Sequence, residues 1–393
     1  MLPEVYVVGA ARTAIGSFGG ALKDVALSDL AHTAVAAALS RSSVDFERIG
    51  HVVLGHVIPT EPKDAYLSRV AGLKAGLPQS TPAFNVNRLC GSGLQAIISA
   101  AQALRLGDCE AAVAGGAESM SRAPFVSTSM RWGQRMGEAK LIDYMLAALH
   151  DPLHDIHMGV TAENVAERYS ITRDQQDALA VESHRRAARA IEEGRFAEQI
   201  VPVELKTRKG VTEFKVDEHV RPDTTLETLA GMRPVFKKDG TVTAANASGI
   251  NDGAGAVVLA TEQVIKAGNL TPMARLVSYA HAGVDPEYMG IGPVPASRKA
   301  LERAGLSISD IDVIEANEAF AAQACAVAKE LNFDPERVNP NGSGISLGHP
   351  IGATGAIITV KALHELKRVN GRYALVTMCI GGGQGIAAIF ERV

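Results

Sequence analysis

VAAALSRSSVDFERIGHVVLG, residues 35–55, runs from a small-residue helical pattern through a polar turn into a short β-branched run. SRKALERAGLSISDIDVIEAN, residues 297–317, repeats that plan at a constant offset of 262 residues, so that Leu39 falls on Leu301. The offset persists well outside this stretch. The run LQAIISAAQALRL behind Cys90 keeps it, because Gly93 falls on Gly355, and both helical runs end in a polar turn, GD at 107–108 and NG at 370–371. A strand-like run follows each turn, AAVAGG and then YALVTMCIGGG. Any two βαβ units share a pattern, but one offset held across two elements favours internal duplication. With VYVVGAA (5–11), LSDLAHTAVAAALSRS (27–42) and HVVLGHV (51–57), strands alternate with helices, which predicts parallel sheets covered by helices.

Between the halves, from about 119 to 249, the alternation breaks. MSRAPF, RWGQRMGE, the helical DQQDALAVESHRRAARAIEEG and the basic KTRKG lie here, before ASGINDGAGAVVLA (247–260) restores an apolar strand. Long insertions in compact α/β proteins are usually functional, because they reach over the end of a sheet.

Composition narrows the function class. Of 393 residues, 47% are hydrophobic and 21% charged, and the formal net charge is −4, so no cationic field draws nucleic acid or an anionic membrane. No apolar run approaches the roughly 20 residues that span a bilayer. MLPEVYVVGAARTAIGSFGG lacks a basic n-region and a small-residue cleavage site, and reads as the first strand of a cytoplasmic protein. Four cysteines, Cys90, Cys109, Cys325 and Cys379, are spread too widely for a disulfide framework and form no CxxC pair, which implies free thiols in a reducing compartment.

NRLCGSGLQ (87–95) places Cys90 at a helix start, where unpaired N–H groups and the helix dipole favour an anion and lower a thiol pKa. The reading is a nucleophile, with a buried inert cysteine as the alternative. NPNGSGISLGHPIGATGAI (339–357) carries His349 in a Gly-rich loop entering a helix. By the offset Cys90 falls on Gly352, so His349 stands near the equivalent place in the other half, either as a base for Cys90 or as a turn histidine. GSGISLG lacks the Lys-Ser/Thr ending of a P-loop. CIGGGQG (379–385) puts Cys379 at a strand end before bare backbone amides, an acid or base beside an oxyanion site or a packed thiol. Asn317, where IEANEAFAAQA passes from strand to helix, holds a water or oxyanion, or caps the helix. Cys109 and Cys325 read as structural. The two histidines of HDIHMG (154–159) lack partners for a metal site, so no metal is expected. The positives of KTRKG, Arg221 and Lys237–Lys238 read as solvated loops or a landing for phosphates.

Taken together, NRLCGSGLQAI, GGAESMSRAP, HMGVTAENVA, ANASGINDGA, NEAFAAQ, GHPIGATGA and CIGGGQG resemble the thiolase family of acetyl-CoA C-acyltransferases, in order and over the whole chain. Within it, the chain most resembles the short-chain biosynthetic type and the broad-range bacterial β-ketothiolases that supply polyhydroxyalkanoate precursors. The resemblance implies a five-layer αβαβα sandwich of two duplicated domains, 1–118 with 250–270 and 271–393, plus a loop domain at 119–249. It implies a reversible Claisen condensation of acetyl-CoA with acetyl-CoA or a short acyl-CoA. Cys90 would carry the acyl group as a thioester, His349 would deprotonate it, and Cys379 would exchange the α-proton. Asn317 would hold a water sharing one oxyanion hole with His349, and the amides of Cys90 and Gly381 would form the second. Arg221 and Ser248 match positions that contact coenzyme A, while Leu149, His157, Met158, Phe236, Met289, Ala319 and Phe320 match the pantetheine and acyl channel. Coenzyme A would be substrate and product, with no further cofactor, and the assembly a homo-oligomer, a dimer or, as the resemblance favours, a dimer of dimers. Gln384 stands where many biosynthetic relatives have Met, a polar change near the acyl site bearing on chain length.

Three other readings compete. A degradative thiolase would use the same residues on longer 3-ketoacyl-CoAs. A ketoacyl synthase would need Cys-His-His, against which NEAF and CIGGG argue. A non-catalytic acyl-CoA carrier would be expected to lack one of Cys90, His349 or Cys379, and all three are present.

Overall fold

The computed structural model describes residues 2–208 and 210–393; Lys209 of the KTRKG run lies outside the described residues. In chain order the first half contains strand β1 (Val5–Arg12), helix α1 (Leu27–Ser42), β2 (Ile49–Gly55), β3 (Ala83–Val86), α2 (Ser92–Leu106) and β4 (Ala111–Ser119). An excursion carrying α3 (Met158–Tyr169) and α4 (Arg173–Glu192) follows, and β5 (Asn251–Thr261) returns to the sheet. The second half comprises β6 (Ala274–Gly283), α5 (Pro293–Ala304), β7 (Val313–Ala316), α6 (Ala321–Leu331), α7 (Ile351–Arg368), β8 (Tyr373–Ile380) and β9 (Gln384–Arg392).

The sheet runs β7-β8-β9-β6-β1-β5-β4-β2-β3, and its two halves mirror one another. In each, a parallel pair (β2 with β4, β7 with β8) continues into antiparallel partners (β4-β5-β1, β8-β9-β6). The halves meet edge to edge where Tyr6 and Val7 pair with Arg275 and Ala274, with the Met273 N–H donating to the Val7 carbonyl at 2.8 Å. Period-two alternation sorts the side chains between layers. Val257 and Leu259 of β5 join a central apolar cluster with Ile386, Ala388 and Phe390 of β9. Val258 and Ala260 instead face the cluster around α1, while Ala387 and Ile389 face the one around α5 and α6.

Helices α2 and α7 form the middle layer, and α1 and α5 pack on the outer faces of the two sheets. This is the expected five-layer sandwich. Helix α7 is buried on nearly every face, as a helix between two sheets must be. The duplication is legible to the residue. Helices α1 and α5 end at Ser42 and Ala304, each stopped by a left-handed residue, Ser43 (φ 54°) and Gly305 (φ 66°). Helices α2 and α7 end at Leu106 and Arg368, and β4 and β8 begin at Ala111 and Tyr373. Each of these pairs is 262 residues apart.

The two central helices cross where neither has a side chain. A Cβ on Gly93 would lie 2.6 Å from the Ala356 nitrogen, and a Cβ on Gly355 would lie 2.3 Å from the Leu94 nitrogen. These contacts are images of each other under the offset. The excursion is fastened to β1 by a buried ion pair: both Arg12 guanidinium nitrogens donate to Asp217, at 2.8 and 2.9 Å, and Arg12 Nε donates to Gln199 at 2.7 Å. Val203–Thr207 and Gly210–Phe214 pair as a hairpin, and Lys206, Arg208 and Gly210 of KTRKG are not among the residues lining the site described next.

Candidate active site

Strand ends and helix starts of both halves converge on an apolar cavity of about 280 Å³. Its wall includes Cys90, His349, Cys379 and Gly381, together with Leu149, His157, Met158, Phe236, Ser248, Met289, Ala319 and Phe320. Twelve of the fourteen site residues expected from sequence therefore share one wall. The other two lie elsewhere. Asn317 is buried behind His349, its amide nitrogen 3.5 Å from each ring nitrogen, and its Oδ1 has no hydrogen-bond partner among the described residues. It does not cap the following helix, whose N-cap is Phe320. Arg221 is exposed and lines an adjoining, more polar groove of about 300 Å³ with His184, His219, Asp223 and Thr224; the groove shares Ala247 with the cavity.

Cys90 sits one residue before the N-cap of α2, Gly91, and follows Leu89, held at φ 47°. A non-glycine residue in that region is strained and fixed by its surroundings. The sequence argument expected the helix start to lower the thiol pKa. The structure corrects this: burial pushes Cys90 up to about 11, against the lowering effect of the Gly381 amide and its own amide, both directed at the sulfur. The resting group is a neutral thiol and needs a base. Burial likewise pushes the Cys379 thiol up, and nearby Cys90 adds to the effect.

His349 is the neutral imidazole on the same wall. Burial holds its pKa down at about 4, so the ring is neutral at pH 7. Its backbone N–H donates to Asn251 Oδ1 at 3.0 Å, and Gly348 (φ 106°) passes so close to Asn251 that a Cβ would lie 2.4 Å from it. The Thr354 hydroxyl donates to the Pro350 carbonyl at 2.9 Å and stands 2.7 Å from His349 Nδ1. Because the Thr354 hydroxyl gives its proton to Pro350, Nδ1 is placed to donate to Thr354, which leaves Nε2 as the acceptor nitrogen, 3.5 Å from the Asn317 amide. Sequence reading passed over Thr354, although its place five residues after His349, on the first turn of a helix, is a usable signal.

The remaining wall is built by local rules. His157 caps α3, accepting from the Gly159 amide at 3.0 Å, and stacks on Phe236 at 4.7 Å; a Cβ on Gly159 would meet that ring at 2.3 Å. Burial lowers the His157 pKa. Ser248 N–H donates to Ala319 O at 2.9 Å and Ala321 N–H to Asn246 O at 2.8 Å, which locks ANASG to NEAF. The three-residue turn 381–383 places Gly381 beside Cys90, with Gly382 and Gly383 both at positive φ. Gln384 does not line the cavity; it accepts from Arg88 at 3.3 Å, so the polar change there faces the Cys90 loop rather than the acyl site. His154 contacts Asp151 and is not among the lining residues. Cys325 lies in α6, its thiol pushed up to about 12 by burial, and Cys109 precedes β4. Sequence reading did not single out Met120, Ala148, Ile250 and Ile351, which also line the wall, or Glu118, the one acidic residue of a buried strand.

Two thiols, a neutral histidine and free backbone amides on one apolar cavity define an acyl-transfer site. The chain belongs to the thiolase family: the model of the thiolase N-terminal domain matches residues 5–263, and that of the thiolase C-terminal domain residues 270–392. It is 66% identical, over the full length of both chains, to beta-ketothiolase BktB of Cupriavidus necator. It is 49% identical to an acetyl-CoA acetyltransferase of Pseudomonas aeruginosa, again with both chains fully covered. The crystal structure of human mitochondrial 3-ketoacyl-CoA thiolase superposes with a TM-score of 0.98 at 47% identity, covering 100% of this chain and 99% of that one.

Proposed function

We propose that the protein is a β-ketothiolase that joins acetyl-CoA to acetyl-CoA or a short acyl-CoA by a ping-pong Claisen condensation. The observation that carries this is the pairing of two protonated thiols with one neutral histidine on a single apolar wall. His349 Nε2 takes the Cys90 proton, and the thiolate attacks the thioester carbonyl. The tetrahedral oxyanion develops against backbone amides, where donors are most effective. Collapse expels coenzyme A as a thiolate, which takes the Cys379 proton. The Cys379 thiolate, facing the imidazolium, then removes the α-proton of the incoming acetyl-CoA. The enolate attacks the Cys90 thioester, and the departing Cys90 sulfur recovers its proton from His349. Protons and electrons balance with coenzyme A as substrate and product. Asn317 acts from behind, holding a water or the ring of His349.

Similarity to beta-ketothiolase BktB and to acetyl-CoA acetyltransferases supports the synthetic reading over a degradative one. Leu149, His157, Met158, Phe236 and Ser248 would take the pantetheine arm. Arg221, in the groove that joins at Ala247, would take the phosphates. A homotetramer is the assembly proposed, supported by the exposed apolar side chains of Phe125, Met130, Trp132, Met136 and Leu141. No helix among the described residues is long and apolar enough to cross a membrane, and a cytoplasmic location is proposed.

The test is acyl trapping. The protein is mixed with equal acetyl-, propionyl-, butyryl- and hexanoyl-CoA, quenched in acid and mapped by peptide mass spectrometry. Acyl groups are expected on the Cys90 peptide, weighted to short chains. Folded, reduced protein with Cys90 unmodified would overturn the enzyme reading, and preference for hexanoyl would favour the degradative one.

A further inference from the structure

The 262-residue offset that relates the halves pairs Cys90 with Gly352, and what stands at Gly352 has no role in the chemistry above. Glu118, the penultimate residue of β4, is fully buried. Its Oε2 accepts from the Gly352 amide at 2.9 Å and from Val57 at 3.1 Å, and its Oε1 accepts from Ile58 at 3.1 Å. Glycine is required at 352 for this contact, because a Cβ there would lie 2.5 Å from Oε2. At the matching place in the other half, backbone amides converge on the Cys90 sulfur. One helix start thus has a thiol before it, met by its own amide and by the Gly381 amide from the other half, while the other gives its first-turn Gly352 amide to an internal carboxyl group.

Gly352 lies three residues after His349, in the first turn of α7, and the Glu118 contact joins that turn to the His56–Ile58 segment after β2. Thr354, which orients the His349 ring, sits on the same turn. We propose that Glu118 is a positioning residue: its buried carboxyl group anchors the first turn of α7 and so fixes where His349 meets Cys90. The inference rests on the assignment of His349 as the base for Cys90.

The experiment is a double-mutant cycle on the rate of Cys90 acylation by acetyl-CoA at pH 7, read on the Cys90 peptide. Glu118→Gln keeps the shape but turns an acceptor oxygen into an N–H₂ facing backbone donors. Misplacement by about 1 Å costs on the order of 10²-fold in a catalytic step, so Glu118→Gln is expected to slow acylation at least tenfold. In a His349→Ala background the same change should alter the rate less than about twofold, because groups acting as one unit are not additive. An unchanged rate in the parent, or the same fold-loss in both backgrounds, would overturn the proposal. Gly352→Ala, which displaces the carboxyl group directly, is run through the same cycle in case Glu118→Gln folds poorly, and thermal unfolding of each variant is recorded. If His349→Ala alone leaves acylation unchanged, the base assignment fails and this inference falls with it; a normal His349→Ala defect with an additive Glu118→Gln effect sinks only the latter.

Discussion

The first half of the molecule brings one thiol to the cavity, and the second brings the histidine, the other thiol and the glycine turn. Cys90 precedes α2, whereas His349 stands on the loop before α7, Cys379 at the end of β8 and Gly381 in the turn after it. The ancestral plan is common to both halves, and the substitutions laid over it are not. Where one half has Cys90 the other has Gly352. Where the second half has Lys361 and Glu315, joined by a buried ion pair at 2.8 Å, the first has Ser99 and Val53. The repeat supplies two facing helix starts, one beside the Cys90 thiol and the other hydrogen-bonded to the buried Glu118 carboxyl group.

The largest effect that tests this division is expected from Cys379→Ala. Acylation of Cys90 should continue, while condensation falls by at least about 10³-fold, measured by single-turnover transfer followed by product assay. Loss of both half-reactions together would mean that the thiols do not divide the labour. Next is Lys361→Met. It strands the Glu315 carboxylate, already pushed up to about 7 by burial, and should cost about 3–5 kcal/mol in urea unfolding. Gly93→Ala and Gly355→Ala should each cost about 1–3 kcal/mol by overpacking the helix crossing, and by similar amounts if the pseudo-symmetry is mechanical as well as geometric.

Acidification sharpens the comparison from the side of His349. Its pKa is about 4 when folded and about 6.5 when not, so between those values the unfolded chain binds more protons. Its contribution to stability is present above pH 6.5 and lost as pH falls to 4. Melting curves of the parent should therefore decline more steeply across that window than those of His349→Ala. The smallest effect is reserved for Gln384→Met, expected to change stability by less than about 0.5 kcal/mol and to leave the chain-length profile of acyl trapping unaltered, since the side chain meets Arg88 and not the cavity.

How much of this could be read from sequence depends on the range of the interaction. Helix 27–42 is found with the bounds its pattern predicts, and the offset fixed the pairing of the halves, because periodicity and turn chemistry are local. The site was legible through its glycines, since CGSG, GHPIG and CIGGG mark close backbone approaches. What failed was long-range. Whether Cys90 gains more from a helix start than it loses to burial depends on neighbours hundreds of residues away, and burial wins. Asn317 retreats behind His349 and Arg221 sits outside the inner cavity for the same reason: no local pattern tells how two halves dock.

The glycine crossing of the central helices has a consequence for motion. Backbones in direct contact leave the two halves no clearance to rock against each other, so the sandwich cannot open and shut like a hinged jaw. Admission of a substrate as long as an acylated coenzyme then falls to the excursion, whose residues 146–158 supply one side of the cavity wall from short turns and the start of α3. Any solvent-viscosity dependence of turnover would belong to that rim, while the catalytic groups inside stay in register from one cycle to the next.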